Sequence, residues 1–411
     1  MLELFFLIGI VLFLGFFGEW IFDKTRISPV LLLIAFGFLV GPVFQIINSN
    51  QTDSLRSVAS TIGTIILIVI LFDAGLNLNI FKLLKVLGRS FLFTVIVFIL
   101  SAIGTTLLMY FAFNWSLVNG LLLGFVIGGT SSAVVIEMAS KSSVSPDGKA
   151  FLFVESTVTD VLCIISTYVL IQLIATNTFT VGGTVSLLAT AFLIAIAIGI
   201  ISGIIWLLVL KKFSGRKYSY ILTIATAFIV YAISESLAGN GGIAVLVYAL
   251  VLGNAGNVLE ALKLKEEYDF SSILKTFQDE ITFFVRSFFF VFIGLIILPT
   301  SFSGFTLLTS IILVIIFLAV RWISAKLIIP NYMKTDSKLV TTILPRGLAA
   351  AVLATLPAAS GIKIDSFSGI VFVVIILTNF VATLGVSIFS GGGNNQTKAI
   401  NTSQKQQPSK N

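Results

Sequence analysis

Histidine is absent from this chain, and cysteine occurs once. Without histidine, Ser-His-Asp catalysis, histidine-ligated haem and most zinc sites are excluded. A lone cysteine, Cys163, closes no internal disulfide, and its apolar neighbours mark it as a packing residue. Charge is scarce as well. Asp, Glu, Lys and Arg make up 10% of 411 residues, against about 25% in a soluble domain. What the chain has in excess is apolar: 57% of residues are hydrophobic, and the mean hydropathy is +1.10. Runs of about 20 apolar residues recur from end to end, each long enough to cross a hydrocarbon core of about 30 Å. A membrane β-barrel would show short alternating segments instead. The composition predicts an all-α polytopic membrane protein, with no cofactor and no resident metal.

Thirteen apolar segments can be marked, at 3–22, 28–47, 58–79, 90–112, 117–139, 150–175, 183–210, 218–238, 241–256, 278–298, 303–329, 338–358 and 366–389. The first lacks a basic leader and a small-residue cleavage site, so it reads as a retained helix. Between the ninth and tenth lies GNVLEALKLKEEYDFSSILK, which reads as an amphipathic connector helix. Residues 1–389 then form one transmembrane domain, and 390–411 a polar, low-complexity tail expected to be disordered. Thirteen spans put the two termini on opposite sides, and Lys and Arg choose the sides. With the N-terminus outside, twenty of the 25 Lys and Arg fall on inner loops and the tail. The outer loops hold Arg56 and Lys363, while Arg286, Arg321 and Arg346 lie within or near spans. The N-terminus is therefore expected outside and the C-terminus in the cytoplasm, in the plasma membrane. This asymmetry also accounts for the net charge of +7 without nucleic-acid binding.

A charge at mid-bilayer costs from about 3 to above 10 kcal/mol, so such residues face the protein interior, pair, and often line a pathway. The candidates are Asp73, Glu137, Glu155, Asp160, Glu235, Arg286 and Arg346. Glu19, Glu137, Asp279 and Glu280 stand near span ends, where solvation is the plainer reading. Arg321 lies deeper in its span, where it either snorkels or pairs. The stretch VESTVTDVL holds two acids and three hydroxyls. Ser156 and Asp160 are four apart and share a helix face. Glu155 and Asp160 are five apart, about 140° around the helix. That angle separates two jobs. One acid with a hydroxyl one turn away suits a hard cation held by oxygen ligands. The other needs a permanent countercharge, from Arg286 or Arg346.

Two segments look broken. GFVIGGTSSAVVIEM carries Gly128-Gly129 followed by three hydroxyl residues, and LPRGLAAAVLATLPAA carries Pro345, Gly347 and Pro357. Interrupted helices at corresponding places in two halves point to a transporter site. These are the fifth and twelfth segments, seven apart. Six spans, a linker span and six spans would make them equivalent, and the odd offset makes the repeats inverted.

With these features in place, the chain resembles the monovalent cation/proton antiporters, which include the sodium/proton exchangers, and it also has Kef-like features. ISPVLLLIAFGFLVGP is similar to the Pro-to-Gly-Pro second helix of that family, LFDAGLNLNI to its LFxxGL helix, and ESTVTD to the ESxxND of electroneutral exchangers. FFFVFIGL and PRG follow in the family's order. The resemblance implies two inverted repeats with crossed discontinuous helices, a dimerisation domain and hence a homodimer, and exchange of Na⁺ or K⁺ for H⁺, serving pH homeostasis. Asp160 matches the aspartate that binds cation or proton. Ser156 and Thr130 match its co-ligands, and Asp73 sits where some exchangers have another acidic ligand. Glu155 matches the glutamate paired with the PRG arginine, here Arg346, and Arg286 is an accessory cation. Thr159 stands where the family has Asn, and Ser131 where many sodium/proton exchangers have Asp. Both join the candidate binding set, and the departures leave Na⁺ and K⁺ open.

The expected mechanism is competition: a cation at Asp160 excludes the proton, and a proton excludes the cation. A single such carboxylate favours electroneutral one-for-one exchange by alternating access, with no enzymatic step. The rival readings are a cation channel and an ion-coupled solute symporter. An intramembrane aspartyl protease would need a Gly-x-Gly-Asp pattern, which neither Asp73 nor Asp160 has.

Overall fold

The computed structural model describes residues 2–25, 28–44, 49–78, 88–140, 142–176, 181–212, 219–263, 270–296 and 302–390. The proposed tail from 391 onward, residues 264–269 of the connector and the side chain of Glu19 lie outside the described residues. The described chain is helical, with no strand among the described residues. In order, the helices are α1 (Leu2–Thr25), α2 (Pro29–Phe38, continued by a π-helical turn Leu39–Val43), α3 (Ser49–Asn77) and α4 (Arg89–Phe113). Then come α5 (Leu117–Ile127), α6 (Ser132–Ser140), α7 (Pro146–Thr176) and α8 (Val181–Lys212). The second half contains α9 (Ser219–Ser236), α10 (Gly241–Gly253), α11 (Ala255–Ala261), α12 (Phe270–Ile296) and α13 (Gly304–Ile328). It closes with α14 (Ser337–Thr342), α15 (Leu348–Leu353), α16 (Leu356–Ala359) and α17 (Phe367–Phe389).

Helix occupies each of the thirteen apolar segments. Among the described residues, six single helices are long and apolar enough to cross a bilayer: 89–113, 146–174, 190–212, 219–236, 304–328 and 367–389. A seventh follows if α10 and α11, bent by 78°, form one crossing. The connector is not one amphipathic helix, because α11 ends at Ala261 and α12 begins at Phe270.

The packing obeys the exchange that the two-repeat reading demands, in which each segment of the first half swaps with the segment seven later. α2 packs on α12, and its counterpart α10 packs on α3. α4 packs on α7 as α13 packs on α17, and α4 and α13 pack on each other. α1 lies on α2 as α9 lies on α10. Glycines set the two counterpart seams. A Cβ at Gly37 would run into the Val291 backbone and stand 3.0 Å from the Gly294 Cα; a Cβ at Gly75 would stand 2.9 Å from the Leu250 nitrogen. Without a hydrophobic driving force between them, helices in a bilayer associate by close packing, and small residues let backbones approach.

The chain between α13 and α14 is tied to the start of α7. Buried Asp336, at the end of a 3₁₀ turn (Asn331–Asp336), accepts from the Ser145 amide at 3.2 Å and also from the Ser145 hydroxyl. The same hydroxyl accepts from the Gly148 amide at 3.1 Å, capping the first turn of α7.

The seams give a test. Gly37→Leu overpacks α2 against α12 and should cost about 1–3 kcal/mol, read as a lower unfolding midpoint in detergent. Gly9→Leu, where an added side chain meets open space, should leave the midpoint unchanged.

Candidate functional site

Both segments expected to be broken are broken, and the breaks meet. α5 stops at Ile127 and α6 starts at Ser132; α14 stops at Thr342 and α15 starts at Leu348. The glycine pair and the Pro345–Gly347 stretch supply the non-helical residues. Across the crossing the Ser131 amide donates to the Pro345 carbonyl at 2.8 Å. Gly347 is required there, since a Cβ on it would overlap the Ser131 side chain.

A broken helix exposes carbonyls at the end of its first half, and in a bilayer these need donors. Two buried arginines supply them. The Arg346 guanidinium donates from Nε to the Ile127 carbonyl at 2.9 Å and from Nη1 to the Leu344 carbonyl at 2.8 Å, and it lies over the Phe317 ring at 4.4 Å. The Arg321 guanidinium donates to the carbonyls of Thr341 (3.2 Å), Ile343 (3.1 Å) and Val340, which end α14. Each cation thus sits at the negative end of one half-helix. The Arg346 backbone is anchored as well: its amide donates to Thr378 Oγ1 at 3.1 Å, and its carbonyl accepts from Asn379 Nδ2 at 2.7 Å.

Glu155 does not pair with Arg346. Its two carboxylate oxygens take both ends of the Arg321 guanidinium, Oε1 from Nη1 and Oε2 from Nη2, the latter at 3.0 Å. The partners are 1% and 0% exposed. The reason is geometric. The Arg321 position on α13 faces α7 beside the end of α14, while Arg346, inside the break, is already turned onto the end of α5. Arg321 is thus the residue the sequence reading left undecided, and it pairs.

Asp160 stands at the other break. Its Oδ2 accepts from the Ser132 amide at 3.1 Å, and the Ser132 hydroxyl also reaches the carboxylate. Ser132 is the first residue of α6, so this carboxylate occupies the amide end of a half-helix, where anions are favoured. The neighbouring hydroxyls fasten the break. Thr159 Oγ1 accepts from the Thr130 amide at 3.1 Å, lies 3.5 Å from Thr130 Oγ1, and donates to the Ser156 carbonyl at 3.1 Å. Ser156 Oγ donates to the Phe153 carbonyl at 3.2 Å. Thr130, Ser131, Ser156 and Thr159 are all buried, and Asp160 is partly exposed. Cys163 is buried beside Gly129 and serves packing.

A cavity of about 750 Å³ opens next to the crossing. Asp73 and Asn77 line it from α3, Ser132 and Glu137 from α6, Thr157 from α7, and Asp279, Glu280 and Arg286 from α12. Asn77 Nδ2 donates to Asp73 Oδ1 at 3.0 Å. The structure therefore gathers Asp73 and Arg286 into one space adjoining Asp160. Glu235 lies elsewhere: with Asn240 it caps α10, accepting from the Gly241 amide at 2.8 Å. Sequence reasoning counted Ser132 among the hydroxyls of the break but gave it no role at Asp160. The signal was its place as the first residue after the Gly-Gly break, where unpaired amides gather.

Comparison with known proteins was made on this basis. The family model for the transmembrane sodium/hydrogen exchanger matches residues 8–390. The chain is 26% identical over 296 residues to the Na(+)/H(+) antiporter 1 of Methanocaldococcus jannaschii, covering 70% of this chain and 67% of that protein. It is 25% identical over 354 residues to the K(+)/H(+) antiporter NhaP2 of Shewanella sp. strain ANA-3, covering 83% of this chain and 58% of that relative's length. The fold is similar to the structure of the sodium proton antiporter MjNhaP1 from Methanocaldococcus jannaschii at pH 8, with a TM-score of 0.77 and 22% identity, covering 95% of this chain and 98% of that one.

The pairing is tested by double-mutant cycles read from unfolding midpoints in detergent. Arg321→Met alone strands a buried carboxylate and should cost about 3–5 kcal/mol. Adding Glu155→Leu should recover part of that loss. The Glu155–Arg321 coupling should exceed the Glu155–Arg346 coupling by more than about 1 kcal/mol.

Proposed function

The chain belongs to the sodium/hydrogen exchanger family, and from that membership we propose that it exchanges a monovalent cation, Na⁺ or K⁺, for H⁺ across the membrane. The observation that carries the reading is the Asp160 carboxylate, held on the Ser132 amide at the crossing of two broken helices. Ser156, Thr130, Thr159 and Ser131 are buried at or beside the same break, and Asp73 and Arg286 line the adjoining cavity. Oxygen-rich surroundings suit a hard monovalent cation as they suit a proton on the carboxylate.

Cation and proton compete for Asp160, and the carrier changes sides when either one neutralises it. Exchange is then obligatory and electroneutral. The fixed charges favour the same stoichiometry, because Glu155 and Arg321 cancel one another and take no part in loading. The Glu155–Arg321 pair and Arg346 hold the two breaks in register, so the binding carboxylate keeps its geometry through the cycle.

The protein is a multi-pass membrane protein. We place its N-terminus outside and its C-terminus in the cytoplasm, in the plasma membrane, on the asymmetry of Lys and Arg. The cavity supports an inward-open state in that frame. Its lining comes from the last turn of α3, from α6 between Ser132 and Glu137, from the first half of α7 and from the middle of α12. The end of α3, the end of α6 and the start of α7 adjoin the stretches that carry Lys82, Lys85, Lys141 and Lys149. A homodimer completes the proposal, on the family resemblance.

Two outcomes test the reading in proteoliposomes with a pH-sensitive dye. Asp160→Asn should abolish the cation-driven pH change, and its survival in that variant would remove Asp160 from the mechanism. In the wild type, the cation concentration for half-maximal exchange should fall as pH rises, because the proton is the competitor. A half-maximal concentration that is the same at every pH would rule competition out.

A further inference from the structure

We infer that Gln278 is a positioning residue for antiport: its buried side-chain amide fixes the turn of α3 that carries Asp73, and so fixes where the Asp73 carboxylate stands in the cavity wall. The inference rests on the antiport reading above, in which Asp73 belongs to the binding set.

Gln278 lies on α12 among residues that face outward. Phe277 before it and Asp279 and Glu280 after it are exposed, whereas Gln278 is 0% exposed. A neutral amide in such a place needs partners at both ends. It has three. Nε2 donates to the Val69 carbonyl of α3 at 3.1 Å and to Thr282 Oγ1 at 3.0 Å. Oε1 accepts from the Tyr220 hydroxyl of α9 at 2.8 Å. The sense of the amide follows from chemistry. A carbonyl only accepts, so the nitrogen faces Val69, the oxygen faces Tyr220, and the tyrosine hydroxyl donates. One side chain ties α3, α9 and α12 together.

The place of that tie carries the inference. Val69 is four residues before Asp73, so within α3 its carbonyl is the acceptor of the Asp73 amide. The backbone needs no second donor there, and an apolar residue at 278 would fill the seam without burying an amide. What the second donor adds is a fixed position for the turn that ends at Asp73. Its surroundings are fixed as well. Phe72 stacks on the Tyr248 ring with centroids 6.0 Å apart, and Gly75 lets α10 approach. Beyond the turn, Asn77 holds the Asp73 carboxylate at 3.0 Å. Thr282, the other acceptor of the Gln278 amide, lines the cavity together with Asp73, while Gln278 stays behind the wall. One amide therefore sets two lining residues, on two helices. A binding group has to be held to within about 0.5 Å, and residues behind it do the holding.

The test uses purified full-length protein in proteoliposomes with a pH-sensitive dye, assayed with Na⁺ and K⁺ separately. Gln278→Met keeps the length of the side chain and removes the amide. It should raise the half-maximal cation concentration about fivefold, the size of one neutral hydrogen bond. Its maximal rate should stay within about twofold of the wild type. In an Asp73→Asn background, the same substitution should change the half-maximal concentration by less than about 1.5-fold, because the group it positions is gone. A merely structural role would act equally in both backgrounds and lower the maximal rate. A second readout needs no transport: amide hydrogen–deuterium exchange over 69–77 should be severalfold faster in Gln278→Met and unchanged over 89–113. An unchanged half-maximal concentration in Gln278→Met, an equal effect with and without the Asp73 carboxylate, or unchanged hydrogen exchange over 69–77 would each overturn the positioning role. Should Gln278→Met be poorly recovered because the Tyr220 hydroxyl loses its acceptor, the double variant Tyr220→Phe with Gln278→Met removes both polar groups and is read by the same criteria. A wild type with no cation-driven pH change overturns the antiport reading and this proposal with it, whereas an active wild type with an indifferent Gln278→Met overturns this proposal alone.

Discussion

Glu155 and Arg321 meet out of reach of water, and the rest of the structure is arranged around that encounter. Taking two charges out of solvent costs several kcal/mol per ion, and the mutual attraction offsets this only if every remaining donor and acceptor is used. Here they are used. The carboxylate engages both ends of the guanidinium, and the guanidinium also reaches the carbonyls of Val340, Thr341 and Ile343. The pair therefore joins three helices, α7, α13 and α14, at one point. Removing Glu155 would leave a cation in hydrocarbon; removing Arg321 would leave an anion there and three carbonyls without their donor.

From that point the site follows. α14 can end in mid-membrane because Arg321 completes its last turn, and α5 can end there because Arg346 completes its own. With both first halves stabilised, the two breaks can lie against each other through Ser131 and Pro345. The amide end of α6 is then left facing α7, where Asp160 is. A single acid so placed has few fixed partners and a space nearby, which is what a reversible ligand needs. The Thr159 hydroxyl bridges the Thr130 amide and the Ser156 carbonyl, and the Ser156 hydroxyl bonds the Phe153 carbonyl, so these two hydroxyls are spent largely on backbone.

Much of this was legible in the sequence. Hydropathy located the helices because a bilayer demands apolar runs of a set length. Gly128-Gly129 and Pro345-Arg346-Gly347 located both breaks because backbone chemistry is local. The helical angle between Glu155 and Asp160 placed them on different faces, and the two carboxylates meet different partners, since periodicity belongs to one helix. The partner of Glu155 was not legible. Helix geometry says which way a side chain points but not which span lies opposite, and two deep arginines were equally eligible. Arg321 carried a signal in its apolar neighbours, for a charge at such depth must pair. Ser132 was hidden for another reason: it acts through its backbone amide, which every residue but proline has. The bend between α10 and α11 is fastened by Asn254, whose side-chain amide donates to the Leu78 and Leu250 carbonyls.

The tie between Asp336 and Ser145 acquires weight beside the Glu155–Arg321 pair. Ser145 and Glu155 are ten residues apart, about 15 Å along α7. Asp336 stands immediately before α14, and Arg321 is bonded to the carbonyls at its end, so α7 is fastened to that segment at two levels. A rod pinned once can swivel; pinned twice, it cannot. The azimuth of Asp160 about the α7 axis is thereby locked to the crossing, and rolling this helix cannot turn its carboxylate from one face of the membrane to the other. In the exchange proposed above, a change of side would carry α7, the breaks and the carboxylate together, as one piece against the helices that line the cavity from outside it.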